Sequence, residues 1–362
     1  MAVLYVTEQG AIVGRVRERL LVTKGNARLA SVRLAELEQV ALCGNVQLTT
    51  QAARILLARG IDAVFLNQGG AFLGRLAGPL GKNVELRRLQ HQRLADPVFA
   101  LDLARRFVAG KLANSRTLLQ RHQRNRPADR IARALVAIRL LAEQLPGAGS
   151  TAELLGLEGK AAAEYFGAFP CLLTAPGITF TGRKRRPPPD PVNILLSFGY
   201  TLLGNQVHGL CEQAGFDPYV GSLHALHYGR PSLALDLIEE MRPVLVDTTV
   251  LRVLNSRGIT PADFVPVEPA SADVEEAWER AEQEQEDGSA GEEAAPPPRR
   301  LLLRQDAVRR WLVAFERRLG DEVYYPLQDR RLSYKLVLRE QVYLLGRHLR
   351  GEASYEPFAA PR

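Results

Sequence analysis

The sequence predicts an α+β protein: a β-rich N-terminal domain over residues 1–82, then a larger all-α domain over 83–362. Three observations carry this. Short β-prone runs broken by turn residues fill the first 80 positions. Long stretches with a period near 3.6 follow Gly81. An acidic, low-complexity segment at about 265–300 interrupts that helical pattern without ending it.

The strand candidates are VLYV (3–6), AIVGRV (11–16), RLLVTK (19–24), ARLASVRL (27–34) and LEQVALCG (37–44), punctuated by Gly10 and by Gly25-Asn26. Thr49-Thr50 offers an N-cap for an amphipathic helix that ends at Gly60. IDAVFLN and AFLGRL then read as further strands. Helical periodicity covers 84–95, 97–123, 128–145, 151–169, 191–214, 232–241, 243–257, 304–319 and 332–350. Pro187, Pro188, Pro189 and Pro191 break the pattern, because proline cannot occupy a helix interior. The segment 265–300 is rich in Glu, Ala, Pro and Gly; EEAWERAEQEQED could form an exposed helix, and GSAGEEAAPPPRR reads as a linker.

At 362 residues and 46% hydrophobic, the chain can fill a sizeable core. No run reaches the ~18 apolar residues that a membrane span needs. MAVLYVTEQG has no basic stretch followed by an apolar one, so no secretory signal is expected and a cytoplasmic protein is. Cys43, Cys171 and Cys211 fit no metal or redox spacing and are expected to be small buried side chains. The net charge of +7 understates the folded part. Residues 261–298 hold twelve acids against Arg280 alone, so the rest of the chain carries +18. Such a surplus favours a polyanionic partner and does not specify a fold.

One candidate site emerges from geometry. On a helix over 151–169, at about 100° per residue, Leu154, Ala162, Tyr165 and Phe169 lie within about 40° of Glu158. Glu158 is thus centred on the apolar face, where a carboxylate needs a compensating cation or donor; Glu164 points to solvent. His224 and Glu239 are 15 residues apart, about 22 Å on an unbroken helix. Gly229 and Pro231 fall between them, so a loop must precede a helix starting near Ser232, and Pro243 ends it. That loop can return His224 to the helix, where Asp236 shares a face with Glu239 and, at four residues, with Glu240. Spacing alone does not choose between Glu239 and Glu240, or between His224 and His227. Two carboxylates and one imidazole suit Mg²⁺ or Mn²⁺, and no thiolate is present to select zinc. A hard cation inside a basic chain points to chemistry on phosphate.

Around these residues the chain resembles the CRISPR-associated endonuclease/integrase family that inserts new spacers into CRISPR arrays. The matching segments are 44–76, LLGLEGKAAAEYF (154–166), NILLSFGYTLL (193–203), GFDPYVGSLHALHYGRPSLALDLIEEMRPVLVD (215–247) and YEPF (355–358). The resemblance implies Glu158, His224 and Glu239 as catalytic metal ligands, with Asp236 supporting them; it favours Glu239 over Glu240 and His224 over His227. It implies a homodimer formed through the N-terminal domain and a dimer of a small ferredoxin-like adaptation protein as partner. Prespacer DNA and the CRISPR repeat–leader junction are the implied substrates, the prespacer 3′-hydroxyl attacking a phosphodiester of the repeat. A stand-alone branched-DNA nuclease and a non-catalytic DNA-binding scaffold are the alternatives.

Arg183, Lys184, Arg185 and Arg186 make a basic loop expected to touch DNA phosphates. The arginines of 120–130 and of 304–318 are further candidates. No aromatic interleaving suggests base stacking, so backbone contact is expected. A ligating imidazole must be neutral, so activity should fall in acid.

Overall fold

The computed structural model describes residues 2–79, 81, 83–184, 188–224, 227–267 and 300–361. The N-terminal runs form two four-stranded sheets. In the first, β1 (Ala2–Val6), β5 (Leu37–Cys43) and β7 (Asp62–Leu66) are parallel neighbours, and β8 (Phe72–Leu76) closes the edge antiparallel to β7. In the second, β4 (Ala27–Arg33), β3 (Arg19–Lys24) and β2 (Ala11–Val16) form an antiparallel meander, to which β6 (Val46–Leu48) adds in parallel. The three-residue β6 has too little alternation to be read from sequence. The helix α1 (Thr50–Arg59) starts where expected, with the Thr49 hydroxyl accepting the Ala52 N–H at 3.3 Å.

The remainder is mostly helical: α2 (Val84–Leu94), α3 (Pro97–Asn125), α4 (Asp129–Gln144), α5 (Thr151–Ala168), α6 (Pro191–Ala214), α7 (Ser232–Ile238), α8 (Thr248–Asn255), α9 (Gln305–Gly320) and α10 (Tyr334–Arg350). It is not wholly helical. β9 (Phe264–Val267) pairs antiparallel with β10 (Arg300–Leu303), and β11 (Glu322–Tyr325) with β12 (Arg330–Ser333). The first ladder closes the base of the acidic segment; the exposed helix and the linker expected within 268–299 lie outside the described residues. The helix expected from 232 to 241 stops at Ile238, and the one expected from 243 starts at Thr248. Between them Arg242–Asp247 make a wide π-type turn. Pro243 has no N–H to give to Glu239, so the tighter α-helical ladder cannot run through it.

The first sheet is buried on both faces. Val6, Val40, Leu42 and Ala63 pack into a small core with α1 and the second sheet, while Cys43, Val64 and Leu66 belong to the large core of the helical part. The alternation follows from the period of two along a strand. Polar contacts join the same two regions. Arg75 bridges Asp62 and Glu212 at 2.6 Å each, and the Tyr5 hydroxyl donates to Glu316 at 2.8 Å. Cys43 and Cys211 are buried as expected; Cys171 is half-buried, and all three are free thiols.

Candidate metal centre

Three segments remote in sequence meet at the centre of the helical part. Helix α5 is capped by Ser150, whose hydroxyl accepts the Glu153 N–H at 3.2 Å. Its face of Leu154, Ala161, Tyr165 and Ala168 packs inward, and Glu158 sits on the margin of that face rather than at its centre, half-buried. Glu164 faces outward and pairs with Arg130 at 2.9 Å.

The second segment is the loop before α7. The Asp236 carboxylate, fully buried, accepts the N–H groups of Ser222 (2.6 Å), Leu223 (2.9 Å) and His224 (3.0 Å). Its Oδ1 also lies 2.7 Å from His224 Nδ1. This one side chain folds the loop back onto α7. The approach is close enough that a Cβ on Gly221 would lie 2.7 Å from Asp236 Oδ2 and from Ser232 carbonyl carbon, so only glycine fits there. A carboxylate facing Nδ1 selects the tautomer with the proton on that nitrogen, leaving the lone pair on Nε2. His224 Nε2 faces Glu239 Oε1 at 3.8 Å.

Glu239 follows the last residue of α7 and is 3% exposed. Arg242 Nη2 lies 3.2 Å from its Oε1, and Lys111 Nζ, from α3, 2.6 Å from its Oε2. Lys111 also pairs with Glu158 Oε1. Burial pushes the Glu239 carboxyl upward, but the charges of Arg242 and Lys111 and the hydrogen bond from Lys111 outweigh it and hold the group down at about 2. Glu239 is therefore an anion throughout the neutral range.

Glu240 points the other way. It is fully buried and accepts from Gln341 Nε2 (2.7 Å), the Tyr355 hydroxyl (3.2 Å) and the Phe358 N–H (3.1 Å). Burial raises its carboxyl to about 8 against those three donors. It secures the 355–358 segment and takes no part in the site. His227 is exposed, its Nδ1 3.2 Å from the Tyr228 carbonyl.

Behind Glu158 opens a cavity of about 520 Å³, lined among others by Lys111, Arg183, Tyr200, Arg242 and Asp247. The hydroxyls of Tyr165 (2.8 Å) and Tyr200 (2.6 Å) donate to Asp247. Burial raises the Asp247 carboxyl to about 6, offset in part by those two hydrogen bonds. The guanidinium carbons of Arg242 and Arg183 lie 4.9 and 5.6 Å from the Tyr200 ring centre.

Arg183 thus turns inward, and its guanidinium donates to Asn193 Oδ1 (2.8 Å) and Ser197 Oγ (3.0 Å). Lys184 is exposed, and Arg185 and Arg186 lie outside the described residues. Several arginines of 304–318 are likewise taken up by the protein. Arg309 holds Glu8, Arg310 holds Asp263 and Asp306, and Arg318 donates to the Val244 carbonyl.

His224 and Glu239 are therefore in direct juxtaposition, and Glu158 joins them through Lys111. Among the described residues no three His, Cys, Asp or Glu side chains stand close enough to form a finished cation cage. The donor set nonetheless fits a hard cation. Two carboxylates face one positive group, and an imidazole lone pair faces one of those carboxylates across 3.8 Å. Lys111 and Arg242 are residues of the site that the sequence reading missed, and Lys111 is the more telling. Its signal was present: the inward stripe of α3 runs Ala104, Phe107, Lys111, Ser115 and Leu118, a lysine in line with the core. Such a cation must meet an anion from another element.

The family model of the CRISPR associated protein Cas1 matches residues 4–274. A CRISPR-associated endonuclease Cas1 of Thermus thermophilus is 36% identical over 99% of this chain and 97% of its own length. An exonuclease Cas4/endonuclease Cas1 fusion of Geobacter sulfurreducens is 37% identical over 98% of this chain, which spans 59% of the fusion's length. Among solved structures, a casposase bound to its integration product superposes with a TM-score of 0.81 at 22% identity, covering all of this chain and 94% of that one, a likeness of fold. No helix among the described residues is long and apolar enough to cross a membrane. With the family model covering most of the chain and a full-length relative above one-third identity, the chain belongs to the CRISPR-associated endonuclease Cas1 family.

Proposed function

We propose that this chain is a metal-dependent, cytoplasmic DNA endonuclease and integrase of spacer acquisition. The observation that supports it is that Lys111 pairs with both Glu158 and Glu239, while His224 Nε2 lies 3.8 Å from the other Glu239 oxygen. Glu158, His224 and Glu239 would hold Mg²⁺ or Mn²⁺. When bound, the ion supplies polarisation of the phosphoryl oxygen and acidification of the attacking hydroxyl. The protein's share is positioning. Asp236 keeps His224 in the ligating tautomer, and Arg242 keeps Glu239 ionised and adds positive charge beside the reacting phosphate.

The substrates in this reading are a prespacer with a free 3′-hydroxyl and the repeat–leader junction, presented with a dimer of the small ferredoxin-like partner. Residues 1–82 form the homodimer surface. Val16 and Leu29, both about half exposed on the second sheet, are consistent with a covered face there.

The test is joining of a labelled prespacer into a plasmid carrying the repeat, with the partner present. The wild type joins in Mg²⁺ or Mn²⁺, whereas Glu158→Gln and His224→Asn lose joining by at least about a hundredfold. Joining at wild-type rate by Glu158→Gln defeats the reading, and cutting without joining would point instead to a branched-DNA nuclease.

A further inference from the structure

Lys111 occupies the place that the proposed chemistry assigns to a metal. Its ammonium contacts Glu158 Oε1 and Glu239 Oε2, from α5 and from the end of α7. All three side chains are largely buried, with 13%, 18% and 4% of their surfaces exposed. Without a positive group between them, two carboxylates drawn together there would repel and drive α5 and α7 apart. One ammonium satisfies both, but a divalent ion seated between the same oxygens cannot coexist with it in that position. The charge balance says the same. Glu158 and Glu239 are matched by Lys111 and Arg242, so a dication added at those two carboxylates while Lys111 stays leaves them over-neutralised, even with Asp236 beside His224. The fold offers the lysine somewhere to go. Lys111 lines the 520 Å³ cavity that Asp247 also lines, and the four-carbon stem can turn into it.

We infer that Lys111 is a resident counter-cation that competes with the divalent ion for Glu158 and Glu239 and withdraws into the Asp247 cavity when the ion binds. The lysine holds the site together without metal and lowers its apparent metal affinity. It is a positioning residue: it acts through the two carboxylates. The inference rests on the metal-dependent reading of the site, and its test separates the two.

Mn²⁺ binding is measured by calorimetry on the whole chain without DNA, and thermal unfolding is followed in EDTA and in Mn²⁺. Lys111→Met is expected to bind Mn²⁺ at least about tenfold tighter than wild type, the competitor having been removed. It is also expected to unfold at lower temperature in EDTA and to gain more from Mn²⁺ than wild type does. Lys111→Arg, which keeps the charge, binds no tighter than wild type. Lys111→Gln repeats the comparison if the methionine variant fails to fold without metal. Equal or weaker Mn²⁺ binding by a folded Lys111→Met or Lys111→Gln overturns the inference, and if Glu158→Gln abolishes Mn²⁺ binding in the same series, the metal reading stands without it. A wild type that binds no Mn²⁺ sinks both.

Discussion

The side chain that shapes the site most is not one of the proposed ligands. Asp236 receives three backbone N–H groups and the imidazole of His224, so it sets loop, tautomer and ring orientation together. Asp236→Asn keeps the volume but can accept on one oxygen only, and its amide is repelled by the N–H groups it meets. Mn²⁺ affinity, measured by calorimetry, is expected to fall roughly 10–100-fold. Asp247 provides a second expectation. The unfolded chain releases its proton near 4, whereas the folded protein keeps it to about 6. The group's contribution to stability is therefore full below about 4, declines as pH rises to about 6 and is flat above. Asp247→Asn removes that decline, so the difference in melting temperature between variant and wild type should drift in the variant's favour from pH 4 to 6. At this scale the sequence was largely readable. Helical spacing and Pro231 bring out Glu158 and Asp236 and narrow the rest to Glu239 or Glu240 and His224 or His227; the family resemblance, not spacing, selects Glu239 and His224. Lys111 was not found, because its partners come from other elements and sequence spacing reports only neighbours on the same one, and Arg242, although three residues from Glu239, was not singled out.

Among the elements, α3 does two jobs one turn apart. Lys111 faces the site, while Asn114 donates to the carbonyls of Glu240 and Phe358 at 2.7 Å each and accepts the Ala360 N–H at 2.8 Å. Between these regions the helix must come very near the residue after Glu239. A Cβ at Gly110 would stand 2.5 Å from Pro357 Cβ and 3.0 Å from Glu240 Cβ. Gly110→Ala is therefore expected to destabilise the protein by about 1–3 kcal/mol through overpacking, despite alanine's better helix propensity. Denaturant unfolding checks it, and a gain in stability would contradict the packing. The long amphipathic helices were legible because a 3.6-residue period repeats many times within each. The ladders of β9 with β10 and β11 with β12 were not. Each strand is four residues long and is defined by its partner rather than by any period of its own.

For the whole molecule, the uneven distribution of charge along the chain has a structural setting. The acidic segment leaves and re-enters the fold at neighbouring points, since Val267 pairs with Arg300 across the ladder. Replacing 268–299 by a short Gly-containing turn is expected to leave the melting temperature nearly unchanged. It should raise affinity for double-stranded DNA at low salt, because a surplus of negative charge is removed from a basic protein. Equilibrium binding across a salt series measures this, with the gain shrinking as salt rises.

The first sheet, apolar on both sides, has a thermodynamic consequence. Val64 and Leu66 serve one core while Ala63 serves the other, and all three lie on a single five-residue strand. Neither core can be wetted without loosening the backbone that the other relies on. Calorimetry should therefore record one endotherm rather than two, and a chain beginning at residue 83 should be sticky and prone to precipitate, its bereft apolar wall open to water.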